Sequence, residues 1–506
     1  MKITFLGHAG LYIETKDCKI MCDPWKHENP QFFGTWFVYP DNSDLEWDKM
    51  INEVDFVYVS HIHRDHLDSK FLKQLVSKNK KIKVILPDYR YCQLKNELED
   101  LGFKNFVVGE TKYFDTNLIT YPSETIDRER EDSSLLVSTS DMNFLNINDS
   151  VINDEHKKDI FERFGNIDMM AAQFSGANWW PLCYDNYSEE ELKKMCIEYR
   201  DRKVEDYLNL MDYLKVGKMI NTAGPPCFLD KKIYHLNSFG DNASIFNDSW
   251  QIPEFESNDK IYRVMPGDKF TYDSIVDRKE RPFDKREFIE SRLYDSDDTI
   301  TKKEWNESRN KFLVWMQEIL NNSFWLKKYI SHKIHIVVDD FEIFKLDFRH
   351  KKVEVVDEVL KKGAYYIVNI PPRMFYELVT ENYTDWEQAF LSCKCKFIRV
   401  PDQYNPWILS FFRNLNVEQL ERIKKESTSE DVLSEKIKVG DYEISRLCPH
   451  QKYDLLYHGK FNKKEKTMQC LGHGWKWDLN TGKGINCSLG LPCQKIKKEV
   501  YKSEKV

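Results

Sequence analysis

Within nine residues, Ser60-His61-Ile62-His63-Arg64-Asp65-His66-Leu67-Asp68, three histidines and two carboxylates crowd into a polar loop directly behind the apolar run Val54-Asp55-Phe56-Val57-Tyr58-Val59. A run rich in β-branched and aromatic residues reads as a strand, so the loop hangs from a rigid strand end. Neutral imidazole and carboxylate are ligands suited to zinc or iron, and side chains this close in one loop can converge on one ion or two. The chain is thereby drawn toward a sheet that presents a metal site at the ends of its strands.

The spacing H-x-H-x-D-H resembles the motif of the metallo-β-lactamase superfamily, and Gly7-His8-Ala9 and Cys22-Asp23-Pro24-Trp25 resemble its opening strands. The resemblance implies an αββα sandwich with His61, His63, Asp65 and His66 as catalytic metal ligands. Phe144-Leu145-Asn146-Ile147-Asn148-Asp149-Ser150 resembles the strand whose terminal aspartate bridges two metals, which makes Asp149 a further ligand candidate. His8 is read either as a ligand near the site or as a satisfied core histidine. Two departures bear on the metal. Between His66 and His156 there is no histidine, and Glu124 to Asp132 offers only carboxylates as ligands, which favours non-haem iron, mono- or dinuclear, over zinc. A late histidine is also missing from Ala223 to Asp230, leaving Asp230 as a substitute and His235 as the nearest histidine.

A second constellation lies near the other end. Cys448-Pro449-His450 and Cys470-Leu471-Gly472-His473 each pair a thiol with an imidazole. A Rieske [2Fe-2S] cluster needs two thiolates on one iron and two imidazoles on the other, and a Cys2His2 zinc site is the chemical rival. The following Gly474-Trp475-Lys476-Trp477-Asp478-Leu479-Asn480-Thr481-Gly482-Lys483 resembles the Rieske stretch after the second loop, so Cys448, His450, Cys470 and His473 are assigned to the cluster. Such a centre passes single electrons at roughly −150 to +300 mV. Cys487 and Cys493 are expected as ordinary buried thiols. Twelve cysteines in 506 residues are too sparse for a disulfide scaffold.

At this length two to four domains are expected. We assign residues 1–240 to the metallo-β-lactamase-like domain, 241–425 to an α+β extension packed on it, 426–436 to a linker and 437–506 to an all-β Rieske domain. Charge supports the last boundary, because residues 431–506 carry +6 and the remainder −14. A capping box at Ser188-Glu189-Glu190-Glu191 opens a helix to Leu214, residues 240–300 read as irregular with some surface helix, and helices are expected near Met374–Leu391 and Pro406–Lys424. No apolar run approaches the ~20 residues of a membrane span, and the net charge of −8 argues against nucleic acid as a partner. The N-terminal MKITFLGHAGLYIE lacks the pattern of a signal peptide, so a cytoplasmic location is expected.

The two domains together resemble the CMP-N-acetylneuraminate hydroxylases, in which the Rieske domain comes first in the chain, whereas here it comes last. Met169-Met170, Phe174-Ser175-Gly176-Ala177 and Asn221-Thr222-Ala223-Gly224 extend the likeness across most of residues 1–415. The resemblance implies an O2-dependent monooxygenase acting on a sugar or nucleotide sugar at an N-acyl group, fed by an external reductase, ferredoxin or cytochrome b5-like donor. Gly176-Ala177-Asn178-Trp179-Trp180 can line a pocket or pack as core and rim. A hydrolase of the phosphodiesterase or lactonase type with a redox-sensing Rieske domain is the alternative.

Overall fold

The computed structural model describes residues 1–89, 92–124, 131–176, 178–238, 249–278, 285–428, 434–449, 452–470 and 474–496. Two facing sheets form its first half. One runs in the order Ile275–Asp277, Lys269–Phe270, Lys2–Gly7, Gly10–Glu14, Lys19–Cys22, Phe56–Tyr58, Lys83–Leu86 and Phe106–Val108. The other runs Ile261–Tyr262, Lys218–Thr222, Met169–Gln173, Asn143–Asn148, Glu131–Ser138, Thr116–Glu124 and Glu110–Tyr113.

Alternation of side chains divides each strand between two cores. Ile3, Phe5, Ile20, Phe56, Leu135, Phe144 and Ile220 meet between the sheets. Met21, Val57, Val84, Phe71 and Leu75 pack the first sheet against Trp47–Glu53, Ser69–Lys78 and Gln93–Asp100. Leu145, Met170, Met219, Ile160 and Tyr207 pack the second against Asp154–Phe164 and Glu189–Leu214. The result is an αββα sandwich. The long helix starts at Ser188, whose side chain accepts from the Glu191 amide while the Glu191 carboxylate accepts from the Ser188 amide, satisfying two donors that the first turn leaves open.

Three of the sheet strands come from a stretch expected to be irregular. Ile261–Tyr262 runs parallel to Lys218–Thr222, and Lys269–Phe270 pairs with Lys2–Gly7. Their brevity explains why no alternating pattern marks them.

Residues 302–427 build a mixed five-stranded sheet, ordered Lys352–Val356, Ile343–Asp347, Lys333–Val338, Tyr365–Ile370 and Lys396–Val400. Its core is distinct from the three that pack the sandwich but takes in Trp25, Trp36, Trp179 and Phe228 of the first half alongside Phe312, Phe344, Phe375 and Trp386. The two long helices expected here are each broken in two. Met374–Leu391 becomes Pro372–Thr380 and Glu387–Leu391, because Asn382 takes the left-handed backbone (φ 57°) and the Asp385 carboxylate accepts from the Glu387 amide to restart the chain. Pro406–Lys424 becomes Pro406–Arg413 and Val417–Ser427, the second opened by the Asn416 side chain accepting from the amides of Glu418 and Gln419. Asp385 and Asn414, one at each break, line a common cleft.

The C-terminal domain is two three-stranded sheets, Lys436–Val439, Tyr442–Ser445 and Cys493–Lys495 against Gly459–Asn462, Thr467–Cys470 and Lys476–Asp478, with one helical turn at Leu455–His458. Tyr442, Ile444, Tyr453, Met468 and Trp477 fill its core.

Candidate functional site

The strand Phe56–Tyr58 ends in the histidine loop, and the loop is fastened from both sides. The Ser60 carbonyl accepts from the Tyr89 hydroxyl (3.0 Å) and the Ser133 hydroxyl (2.9 Å), and the Ser60 amide donates to Asp23 Oδ1 (2.7 Å). Amides of His66 and Leu67 both donate to the His63 carbonyl, a tight turn that brings the three rings together. Asp68, the second carboxylate of the motif, caps the helix Ser69–Lys78 by accepting from the Lys70 and Phe71 amides and also takes the Asn29 amide group (2.8 Å). It serves folding and stands apart from the cluster.

His61 Nε2 and His63 Nδ1 approach to 2.8 Å. His66 is fully buried; its Nδ1 lies 3.1 Å from Ser60 Oγ and 3.5 Å from Asp23, so its Nε2 points between Asp65 (3.6 Å) and Asp149 (3.7 Å), with no hydrogen-bond partner. Asp149 leaves the end of Asn143–Asn148 and accepts from Gln173 Nε2 (3.1 Å). His8, 3 % exposed, places Nε2 at 2.8 Å from Asp65 Oδ2. Ligating atoms of His61, His66 and Asp149 lie within 4.8 Å of one another, as do those of His8, Asp65 and His66. Four of the five sequence-selected residues, His61, Asp65, His66 and Asp149, therefore share these groupings with His8, and His63 adjoins them through its contact with His61.

The electrostatics suit a cation. Burial opposes charge on His66, yet Asp65, Asp149 and Asp23 outweigh it and lift the ring to about 10. Burial likewise opposes charge on Asp65, but His66, His8 and His63 hold it well below the usual carboxylate range. A buried imidazole nitrogen without a partner, set among carboxylates, is the donor set that binds zinc or iron, so the residues fit a metal.

Three further neighbours surround the cluster, two of them in stretches the sequence singles out, the Cys22–Trp25 motif and the Glu124–Asp132 carboxylates, and the third without any local pattern. Asp23, fully buried, accepts from Ser60 and Asn148 and flanks His66. Asp132 Oδ1 lies 3.5 Å from His61 Nδ1, although Thr125 to Arg130 of the carboxylate stretch fall outside the described residues. Glu387 comes from the α+β extension and reaches His63. The late-histidine candidates are placed elsewhere. Asp230 is buried against Lys394 (3.0 Å), and His235 is exposed on a turn of 3-10 helix.

The cluster floors a cleft of about 650 Å³ whose other wall is the extension. Glu131, Asp132, Gly176, Asn178, Trp179 and Trp180 line it, while Ala177 lies outside the described residues. Arg202, Lys203, Arg399, Arg413 and Arg422 bring positive charge to the same space.

In the C-terminal domain Cys448 and Cys470 are fully buried and open two loops of one design. Each cysteine amide donates to the carbonyl five residues on, Tyr453 or Trp475, and each cysteine carbonyl accepts from the amide four residues on, Lys452 or Gly474, which both have positive φ. His450 and His473, which fall between these residues in the sequence, lie outside the described residues. Two buried thiols at matching places fit the thiolate half of a [2Fe-2S] cluster. Cys487 and Cys493, expected as buried thiols, are partly exposed.

Fold and site define the class: a metallo-β-lactamase-fold protein with a Rieske domain at its C-terminal end. Residues 2–159 match the Beta-lactamase superfamily domain, 424–495 the Rieske [2Fe-2S] domain and 310–429 an Rv3818-like, SCP2-like domain. A Rieske 2Fe-2S iron-sulfur protein of Mycolicibacterium smegmatis, a name that states no reaction, is 31% identical over 536 residues spanning 98% of this chain and all of that one. Its counterpart in Mycobacterium tuberculosis is 30% identical over 520 residues, 96% of this chain and 97% of the relative. The chain belongs to this family of Rieske 2Fe-2S iron-sulfur proteins. Cytidine monophosphate-N-acetylneuraminic acid hydroxylase of Cricetulus griseus is 32% identical over 88 residues, 17% of this chain and 15% of the hydroxylase, a shorter likeness than the sequence motifs suggested. No helix among the described residues is long and apolar enough to cross a membrane.

Proposed function

We propose that the chain is a Rieske-dependent non-haem iron oxygenase that hydroxylates a sugar or nucleotide sugar at an N-acyl or related substituent. The observation that carries this reading is that one polypeptide joins a convergent histidine–carboxylate cluster in a substrate-sized cleft to a one-electron centre of Rieske type. Hydrolysis consumes no electrons, whereas insertion of one O2 oxygen with reduction of the other to water requires two electrons and two protons.

His61, His63, Asp65, His66 and Asp149 would hold iron, and His450 and His473 would complete the cluster begun by Cys448 and Cys470. When bound, the iron supplies activation of O2 by stepwise reduction, with electrons relayed from an external donor through the cluster. The chain's own residues do the rest. Arg202, Lys203, Arg399 and Arg422 offer donors to phosphate or carboxylate oxygens of the substrate, and the planar faces of Trp180, Tyr184 and Tyr199 offer a stacking surface for a base or sugar ring.

Incubation of the reduced, iron-loaded protein with a panel of nucleotide sugars under isotopically labelled O2 tests the reading. One label in the product is expected. Product formed equally without O2, or carrying no label, points to the hydrolase alternative instead.

A further inference from the structure

We infer that Glu387, clamped by Arg413, is a positioning residue that orients His63 from the α+β extension and so makes the metal site of the sandwich a two-domain construction. Glu387 Oε2 lies 3.4 Å from His63 Nε2, at the long end of hydrogen-bonding distance, while Nδ1 of the same ring faces His61 Nε2 at 2.8 Å. A neutral imidazole carries one N–H. With that proton on Nε2 and directed at a carboxylate, the lone pair is on Nδ1, the atom that faces His61 Nε2. Metal-bound histidines are commonly oriented by such an outer carboxylate, whose loss costs 10- to 100-fold in affinity.

Glu387 is built to stay where it is. It is 3 % exposed, and both its oxygens receive donors from the Arg413 guanidinium, Nε on Oε2 and Nη2 on Oε1. Its amide is held by Asp385 Oδ1 (3.0 Å), the contact that restarts the broken helix. A carboxylate already engaged on both oxygens by a guanidinium is poorly disposed to bind a cation itself, which separates orientation of His63 from direct ligation. Glu387 and Arg413 belong to two helices of the extension, and both line the cleft.

The inference rests on the reading of His61 to Asp149 as a metal site, and not on the reaction proposed for it. Cobalt(II) binding to the full-length, cluster-containing protein, followed by d–d absorption and by chelator competition, tests it. The variants are Glu387→Gln, Glu387→Ala and His61→Ala. Glu387→Gln keeps an acceptor for His63 Nε2–H, so the wild-type cobalt spectrum and affinity within about 10-fold are expected. Glu387→Ala is expected to weaken binding by about 10- to 100-fold with a changed spectrum, full stoichiometry returning at saturating cobalt. Unchanged affinity and spectrum in Glu387→Ala overturn the inference, as does a cobalt equivalent that saturation never restores, which would make Glu387 a ligand. Should Glu387→Ala fail to fold, judged by its circular dichroism and loss of the cooperative thermal transition, Glu387→Gln carries the test through its spectrum, and a spectrum like that of His61→Ala overturns the inference. If wild type binds no cobalt beyond the His61→Ala background, the metal reading itself has failed.

Discussion

Trp36 Nε1 donates to the carbonyl of Leu391 at 2.6 Å, a hydrogen bond between positions 355 residues apart that ties the sandwich to the extension beside the cleft. Both residues are buried, Trp36 at 3 % and Leu391 at 6 % exposure. Trp36→Phe keeps most of the aromatic contact and leaves the carbonyl only the weak Cys393 thiol donor (3.5 Å). A cost of about 1–3 kcal/mol is expected, read as a lower thermal midpoint and faster proteolysis between the two units.

The two metal constellations should be separable by mutation. His66→Ala removes a nitrogen that both ligand groupings share. Metal in the first domain should fall at least tenfold while the EPR signal of the dithionite-reduced cluster persists. Cys448→Ser should abolish that signal and the acid-labile sulfide while sparing the first site. Loss of both centres in either variant would contradict independent sites.

Asp23 is fully buried and accepts from the Ser60 amide and the Asn148 side chain while flanking His66. Asp23→Ala strands those donors in the interior. Destabilisation of about 2–4 kcal/mol is expected, with weakened metal binding at His66, measured by denaturant titration and metal content.

His335 sits in Lys333–Val338 with no exposed surface, and burial, helped by Lys345 and Lys333, pushes its ring down to about 4. The native state keeps it neutral where the unfolded chain, near 6.5, takes a proton. Stability from this group is therefore intact above pH 6.5, falls between pH 6.5 and 4, and falls no further below. The loss amounts to on the order of 3 kcal/mol. His335→Gln, which retains an acceptor for the Leu360 amide, should flatten the thermal midpoint across that window relative to wild type. An equal pH dependence in both proteins would refute the assignment.

Local patterns were the legible part of this protein. His61, His63, Asp65 and His66 lie within one turn behind a strand, and Cys448 and Cys470 each open a short closed loop, so spacing alone marks them as candidate ligands. The Ser188 capping box likewise announces its helix because every participant is within three residues. The hydroxylase resemblance came from motifs of the same local kind, and it was the extent of the likeness, not the motifs, that proved shorter.

What only the tertiary structure decided is long-range. Asp23 reaches His66 because the strand Lys19–Cys22 runs beside Phe56–Tyr58 in register, and strand partners are chosen by the whole sheet. Glu387 reaches His63 across 324 residues because Asn382 and Asp385 break a helix whose apolar spacing reads as continuous. A carboxylate in a solvated helix and a carboxylate that orients a metal-site histidine look identical in sequence. Burial, the Arg413 clamp and the packing of the extension over the cleft make the difference, and all three arise only when the extension packs on the sandwich.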